Sequence, residues 1–328
     1  MTKVHGKRYA YKFNFYGLAQ AINSTSGQGR YEYEYSQVPG LSSLPSNHYQ
    51  FRTDSEIKPI HDQFSLKGNR PFDATANIPW LIVFIPFWSI SLLFLFMDIT
   101  GRPNFLSKYK MQYKNGRKLS WTRAKKAIGV VFSNSLINIP ASYIGLLLFK
   151  LRGMNFDENI PSSSRVITDF AVFLVFEEIL FYYFHRLLHR PYFFKHFHKV
   201  HHEWTSPICL STLYCHPLEH FMSNLLPVFT GPLVCGSHLL LVYIWILIAT
   251  LNGMNAHSGY HFPGIRPNEA HDYHHSKKTE NHGILGVLDW LHGTDKNFKR
   301  STEKKRDRIF FGCTPIRKII PDPSTLSS

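Results

Sequence analysis

The chain has few cysteines and few acidic residues for its length. Only four of its 328 residues are cysteines, and none stands in a Cys-x-x-Cys pair. That density is too low for a fold held by disulfide bonds, and the spacing does not suit a thiolate zinc site. Asp and Glu number 22 against 37 Lys and Arg, for a formal net charge of +15. The basic residues lie beside long apolar runs, as in chains held against an anionic leaflet, so we expect a membrane protein and no nucleic-acid partner.

The first 79 residues lack a long apolar segment. They contain clusters of Gly, Ser, Pro, Gln and Tyr without sustained periodicity, for example over residues 24–37. Such composition is typical of disordered segments. No cleavable signal peptide is recognisable near Met1. We therefore predict that residues 1–79 form a polar, mostly disordered region.

Apolar runs follow at residues 80–97, 128–149 and 166–184. Each approaches or reaches the length of about 20 residues that a helix needs to cross a bilayer. The basic stretch 98–127 is predicted to be cytoplasmic by the positive-inside rule, which also returns the end of the third run to that side. The run 80–97 is predicted to be either a single span or a re-entrant hairpin.

A fourth apolar run covers residues 221–254 and is interrupted by Pro and Gly near 231–237. We predict a membrane hairpin there, with both ends on the cytoplasmic face. The expected fold is all-α: an integral membrane helical bundle with a cytoplasmic, helical, histidine-rich cap that holds two metal ions.

Histidine is the residue in excess, because sixteen of the nineteen histidines lie between His185 and His292. They recur at spacings i, i+3 and i, i+4, which place imidazoles on one helix face. The groups are three boxes, HRLLH, HKVHH and HDYHH, and one pair at the hairpin exit: His185 and His189; His198, His201 and His202; His271, His274 and His275; His257 and His261.

Ten imidazoles exceed what one ion needs, since a structural zinc site uses four ligands and a catalytic site three. They suit two metal ions with four or five nitrogens each. Imidazole also binds Cu, Fe and Ni, so the ligand type does not name the metal. A metal transporter is the rival interpretation, but its histidine tracts tend to be of low complexity and borne on loops, unlike these separated repeats. Residues near the boxes are predicted to orient the ligands: Glu177, Glu178, His216 and Asp272.

Aromatic residues near the boxes are candidates for the wall of a lipid pocket. Phe181, Tyr182 and Tyr183 precede the first box, and Trp204 follows the second. Packing in an aromatic belt at the membrane interface explains these residues equally well.

The motifs together resemble those of the fatty acid hydroxylase superfamily. The three boxes occur in the family's order, with HPLE at 216–219 and HSGYHFP at 257–263 between the second and third. Further shared features are FLSKYKMQ at 105–112, Glu177, and LHGTD at 291–295. Over residues 80–300 the chain looks most similar to the sterol C4-methyl oxidases and to the branch of fatty acid hydroxylase domain-containing protein 2.

This resemblance implies a multi-pass enzyme of the endoplasmic reticulum membrane whose active site faces the cytoplasm. It implies a histidine-bound pair of iron ions and electrons from NAD(P)H, passed on by cytochrome b5 and its reductase. All ten box and hairpin-exit histidines are the implied ligands. His261 stands where sterol C4-methyl oxidases typically have aspartate, and it matches the other branch instead.

The resemblance also implies the reaction and the domains. The expected function is O2-dependent oxidation of a lipid C–H bond, with a C4-methyl sterol as substrate. The alternatives are a fatty acyl or sphingolipid hydroxylase or desaturase, and a non-catalytic membrane regulator with the same fold. The expected domains are the first two membrane segments with their basic loop (80–165), the catalytic domain with the hairpin (166–300) and a basic C-terminal tail (301–328).

Overall fold

The computed structural model describes residues 2–3, 11–12, 72–112, 118–154 and 160–322. The chain divides into two units, Met1–Asp62 and Gln63–Ser328. In the first unit, strands β1 (Thr2–Lys3) and β2 (Tyr11–Lys12) pair antiparallel, with Thr2 opposite Lys12. Most of residues 1–79, predicted to be disordered, lie outside the described residues.

In the second unit, the regular elements among the described residues are helices and helical turns. Its six longer helices are α1 (Phe72–Thr100), α2 (Trp121–Leu151), α3 (Ser163–Leu188), α4 (Leu226–Cys235), α5 (Leu239–His257) and α6 (Glu269–Lys277). Shorter helical turns connect them: Asn104–Ser107, Pro191–Phe193, Phe194–His198, His201–Glu203, Cys209–Leu213, Pro217–Glu219, His220–Leu225, Val287–His292, Phe298–Arg300, Thr302–Arg306 and Ile316–Ile319. The prediction of a mostly helical protein is confirmed for this unit.

Among the described residues, three helices are long and apolar enough to cross a membrane. They are α1 over Trp80–Thr100, α2 over Trp121–Leu151, and α5 over Leu239–His257. Since α1 is one continuous helix, the re-entrant hairpin considered for residues 80–97 is wrong.

Helix α3, predicted to be the third membrane segment, is not among these three helices. Its apolar run is interrupted by three carboxylates, Asp169, Glu177 and Glu178. All three are buried within the protein. Charged groups in an apolar segment are costly unless they face the interior of a bundle, which is where this helix directs them.

The predicted hairpin is present, and its arms are longer than expected from the apolar run. Helical backbone continues from 217 to 235, and α5 follows after a tight turn. The turn is made by Gly236, whose φ of 56° is left-handed and whose N–H donates to the carbonyl of Leu233 at 3.3 Å. Only glycine adopts this conformation without steric cost, which explains why the first arm ends there.

Helices α3 and α4 pack closely because Gly231 of α4 lies against the backbone of α3. A Cβ on Gly231 would lie 2.7 Å from Cα of Phe173. The indole of Trp245 on α5 donates to the carbonyl of Val228 at 3.0 Å, which ties the two arms of the hairpin together. The hairpin is thereby held against α3, the helix that carries the first histidine box.

A second core joins α1 and α2 to the segment that follows the second histidine box. Phe87, Val131 and Leu210 are buried in one cluster there. Within it, the amide of Asn134 donates to the carbonyls of Leu213 and Cys215, at 2.8 Å each. The chain between the second box and the hairpin is thus fixed to the membrane helices.

The predicted basic tail is described as far as residue 322, and that part packs on the protein. Arg306 is completely buried, donates to the carbonyl of Ile320 at 2.8 Å and binds Asp322 at 2.7 Å. Ile316 enters a core with Tyr109. Arg306 is therefore a structural residue, although it belongs to the basic tail.

Candidate metal centre

Four parts of the fold bring the histidines together. The first box ends α3, with His185 in its last turn and His189 directly after it. The second box lies on a π-helical turn that ends at His198 and a 3₁₀ turn that begins at His201. This irregular backbone differs from the regular helix that the spacing predicts. His257 is the last residue of α5, and the third box lies on α6.

Nine of the ten predicted ligands converge in two groups. Within each group, one ligand atom from every residue lies within 4.8 Å of all the others. The five-histidine group consists of His185, His189, His198, His202 and His274. The four-histidine group consists of His201, His257, His271 and His275.

The two groups divide each histidine triplet in the same way. The residues at i and i+4 stay together, as their position on one helix face predicts, and the middle residue joins the other group. Thus His201 leaves its box for the four-histidine group, and His274 leaves its box for the five-histidine group. Because of this exchange, the two groups share two chain segments and lie side by side.

The Nε2 atoms within each group are about as close as hydrogen-bonded atoms. In the five-histidine group, Nε2 of His189 lies 2.9 Å from that of His198 and 3.1 Å from that of His274. In the four-histidine group, Nε2 of His257 lies 2.9 Å from that of His271 and 3.2 Å from that of His201. Nitrogens about 2.1 Å from one metal ion and at right angles to each other would be about 3 Å apart.

The other ring nitrogen, Nδ1, is held by the protein in most of these residues. In the five-histidine group, Nδ1 of His185 donates to the carbonyl of His282 and Nδ1 of His274 to that of Glu280. In the four-histidine group, the acceptors are the carbonyls of Tyr214, Gly253 and Trp204, for His201, His257 and His275 respectively. A carbonyl only accepts, so each of these rings carries its proton on Nδ1.

This tautomer leaves Nε2 with an exposed lone pair. His201 and His257 both carry their protons on Nδ1, so their Nε2 atoms, 3.2 Å apart, face each other as two acceptors. Two lone pairs at this distance repel unless a cation lies between them. The donor set therefore fits a metal ion in each group, and the nine histidines named above are the residues that would hold the two ions.

The electrostatic environment keeps the rings neutral, as metal ligation requires. Burial, followed by the neighbouring imidazoles, lowers the pKa of His201, His274 and His275 well below the ordinary value. Burial likewise lowers the pKa of His185 to about 3. Near neutral pH, the Nε2 atoms of these rings are therefore available as ligands.

The predicted tenth ligand, His261, joins neither group. Helix α5 ends at His257 and the chain turns at Gly259, whose φ is 72°, so the pair does not share a helix face. His261 is buried elsewhere, with Nε2 3.2 Å from the carbonyl of Arg308 and Nδ1 3.4 Å from Oε1 of Glu269. Both ring nitrogens thus have partners outside the metal centre.

The four residues predicted to orient ligands have other contacts or positions in the structure. Glu178 accepts from the backbone N–H groups of Ile284, Leu285 and Leu288, at 2.8 to 3.3 Å. His216 caps a short helix by accepting from the N–H of Leu218 at 3.1 Å. Their partners are thus backbone groups outside the metal centre.

Within the described part of the chain, the other two predicted orienting residues form no hydrogen bond or ion pair with a ligand histidine. Asp272 accepts from Gln112, and its carboxylate is 3.9 Å from Arg317. Burial raises the pKa of Asp272 to about 6. Glu177 lines the large cavity described below.

A different carboxylate, Glu219, contacts a ligand. Its Oε1 lies 2.8 Å from Nδ1 of His198, and both side chains are almost fully buried. Burial raises the pKa of Glu219 well above the ordinary value. The signal for this residue was the HPLE motif, whose last letter is Glu219. Its role was missed because the ligand it contacts is 21 positions away in the chain.

A cavity of about 210 Å³ opens from the four-histidine group into the helical bundle. His257 and His271 line it, together with Glu177 and Phe181 of α3. Its remaining wall is mainly apolar and comes from the membrane helices and the hairpin, with Val83, Phe87, Val228, Phe229 and Ile246 among its residues.

Of the four aromatic residues predicted to line a lipid pocket, Phe181 lines this cavity, and Tyr182, Tyr183 and Trp204 are not part of its wall. The hydroxyl of Tyr182 lies 3.1 Å from that of Thr294, and its ring stacks on His292. Trp204 is buried, its carbonyl holds His275, and its ring lies under Arg123 at 4.5 Å. Tyr182 and Trp204 thus pack around the centre, and Phe181 is the predicted aromatic residue that the cavity wall includes.

The fold and site define a helical protein with membrane-spanning character and a paired, histidine-rich candidate metal centre. The fatty acid hydroxylase family model matches residues 170–294, which include all nine converging histidines. The human fatty acid hydroxylase domain-containing protein 2 is 40% identical over 252 residues, 74% of this chain and 76% of that protein. The chain therefore belongs to the fatty acid hydroxylase family.

Two further relatives carry names that state an activity. Fatty acid hydroxylase ahd1 of Mycosarcoma maydis is 37% identical, over 83% of this chain and 71% of that protein. Methylsterol monooxygenase 2-2 of Arabidopsis thaliana is 32% identical, over 65% of this chain and 83% of that protein. Both names denote oxidoreductases. No solved structure is significantly similar to the chain.

Proposed function

We propose that the protein is a membrane-bound di-iron monooxygenase that uses O2 to oxidise a C–H bond of a lipid, the C4-methyl group of a sterol. The observation that carries this proposal is the opening of the four-histidine group into a mainly apolar cavity between membrane helices. A soluble substrate would not need such a cavity. A lipid can enter it from the bilayer without crossing water.

The metal identity rests on the family and on the ligand set. Imidazole nitrogens are suitable ligands for iron, and the two groups supply nine of them. When bound, iron supplies the redox chemistry that O2 activation requires. The residues of this chain hold the ligands in one tautomer through backbone carbonyls, exclude water with apolar walls, and place the lipid beside His257 and His271.

The electron source and cellular location are part of the proposal. We expect cytochrome b5 and its NAD(P)H-dependent reductase to supply electrons, in the endoplasmic reticulum membrane, with the histidine groups facing the cytoplasm. The basic stretch between α1 and α2 supports this side through the positive-inside rule. Part of that stretch is structural, since Lys110 is buried and binds Asp98 at 2.8 Å.

The test is reconstitution of the purified protein with iron, cytochrome b5, its reductase, NADH and O2. We expect conversion of a 4-methyl sterol to its hydroxymethyl or carboxyl product. His202→Ala removes a nitrogen from the five-histidine group and should abolish turnover. His196→Ala is the matched control, because His196 is exposed and donates to the carbonyl of Tyr192, away from both groups. Equal activity of the two variants would contradict a role for the histidine centre in the reaction.

A fatty acyl or sphingolipid substrate is the second candidate, and the name of the Mycosarcoma maydis relative favours it. The histidine groups do not discriminate between lipid classes. Lipid profiles after loss of the gene do: accumulation of 4-methyl sterols supports the first candidate, and accumulation of non-hydroxylated acyl chains supports the second.

A further inference from the structure

Two adjacent glutamates on α3 have opposite surroundings. Glu178 is satisfied by three backbone N–H groups, so its charge has a fixed structural partner. Glu177 is 7% exposed and lines the cavity. Its carboxyl group makes no hydrogen bond or salt bridge with any residue in the described part of the chain.

A buried carboxyl group without a hydrogen bond is costly, so the group has a physical reason to meet a partner from outside the protein. The cation that acts on Glu177 is Arg266. Arg266 is already engaged, because its guanidinium donates to Oδ1 of Asn252 at 3.1 Å and to the carbonyl of Ile284 at 2.5 Å. Since Arg266 is exposed and also lines the cavity, this polar corner lies near the cavity mouth.

The charges at this corner select the kind of ligand group. An anionic head, such as a carboxylate or phosphate, would face the carboxyl group of Glu177, with Arg266 as the nearby cation. A neutral hydroxyl group can donate to Glu177 without that repulsion. The apolar side chains of the cavity wall suit a hydrocarbon body.

The position of Glu177 relates this corner to the metal centre. Glu177, Phe181 and His185 are spaced at i, i+4 and i+8 and so share one face of α3. The rings of Phe181 and His185 are 5.1 Å apart. Two helical turns, about 12 Å along the axis, separate Glu177 from His185. Helix α3 therefore carries Glu177 and a residue of the five-histidine group on one face, with Phe181 between them at the cavity wall.

We propose that Glu177 accepts a hydrogen bond from a hydroxyl group of the lipid substrate. This inference rests on the proposed function in one respect, namely that the cavity binds the substrate. It adds the residue that orients the lipid and the chemical group that the residue recognises.

The experiment measures equilibrium binding of radiolabelled lipids to the full-length protein in nanodiscs. Two ligand pairs are compared: a 4-methyl sterol with its 3-O-methyl ether, and a long-chain alcohol with its methyl ether. The wild-type protein should prefer the free hydroxyl by about tenfold, the effect of one hydrogen bond to a carboxylate. Glu177→Leu should lose this preference, and Glu177→Gln, which keeps an acceptor oxygen, should retain part of it.

The control variant is Val83→Ala, at the apolar wall of the cavity, which should weaken both members of a pair equally. A preference that persists in Glu177→Leu would overturn the inference, as would wild-type protein that binds ether and alcohol equally or binds none of the four lipids. Failure of the sterols alone would contradict the proposed sterol substrate, and the alcohol pair would then decide the role of Glu177.

Discussion

The five-histidine and four-histidine groups use the same kind of ligand in different surroundings. No residue of the five-histidine group lines the cavity, and one of its rings, His198, is held by the buried carboxylate of Glu219. In the four-histidine group, His257 and His271 line the cavity. Five nitrogens leave fewer free coordination positions on an ion than four. On the proposed function, we therefore expect the lipid to reach the four-histidine group, because the other group does not line the cavity.

Removal of one ligand from each group should give the largest effect. His274→Ala takes a nitrogen from the five-histidine group and His271→Ala takes one from the four-histidine group. Each variant should lose turnover by on the order of hundredfold or more, because loss of a direct ligand exceeds the effect of losing a residue that orients one. Iron analysis by mass spectrometry should show a deficit in both. Lipid binding should change in His271→Ala and not in His274→Ala. The opposite result would indicate that the lipid reaches the five-histidine group instead.

Replacement of the carboxyl group beside a ligand should have the next largest effect. Glu219→Gln weakens the support of His198 and should reduce iron retention against a chelator by about tenfold or more. Asp272→Asn is the matched control, since Asp272 follows His271 directly in the chain but binds Gln112. Its effect on iron retention should be small. If the Asp272 variant loses iron faster than the Glu219 variant, the roles assigned to the two carboxylates are wrong.

A disturbed contact between the hairpin and α3 should affect the cavity more than the five-histidine group. Gly231→Ala places a methyl group 2.7 Å from Cα of Phe173 and should destabilise the protein by about 1–3 kcal/mol. Thermal unfolding in detergent measures this loss of stability. Gly129→Ala on α2 has open space around its Cβ and should not destabilise the protein. Lipid binding should fall in the Gly231 variant, because α4 supplies cavity residues. Equal stability of the two variants would contradict the close approach of α3 and α4.

The smallest effect on the metal centre is expected for His261→Ala. The ring lies outside both groups, so iron content and turnover should stay within about twofold of the wild-type values. Stability should fall by about 1–2 kcal/mol, because the ring is buried between Glu269 and the carbonyl of Arg308. Loss of bound iron in this variant would show that His261 is a ligand after all.

The spacing of the histidines predicted which rings share a helix face, and this held within α3 and α6. It could not predict where a helix ends, so His261 was grouped with His257 although α5 stops at His257. It also could not predict the exchange of His201 and His274, which depends on how two separate segments approach each other.

The supporting contacts were the least predictable part of the site. Most acceptors for the ligand rings are backbone carbonyls, which leave no mark in the sequence. Trp204, for example, holds His275 through its carbonyl, 71 positions away in the chain, although its side chain was the expected feature. Apolar runs, by contrast, predicted α1, α2 and α5, because length and composition suffice for a helix in a membrane. They failed for α3, whose buried carboxylates interrupt the run 166–184.

The most direct test of the paired centre is anomalous X-ray scattering at the iron edge from crystals of the purified, iron-loaded protein. We predict two iron peaks, one among the Nε2 atoms of the five-histidine group and one among those of the four-histidine group. A single peak, no peak, or a peak at His261 would contradict the assignment of nine histidines to two metal ions.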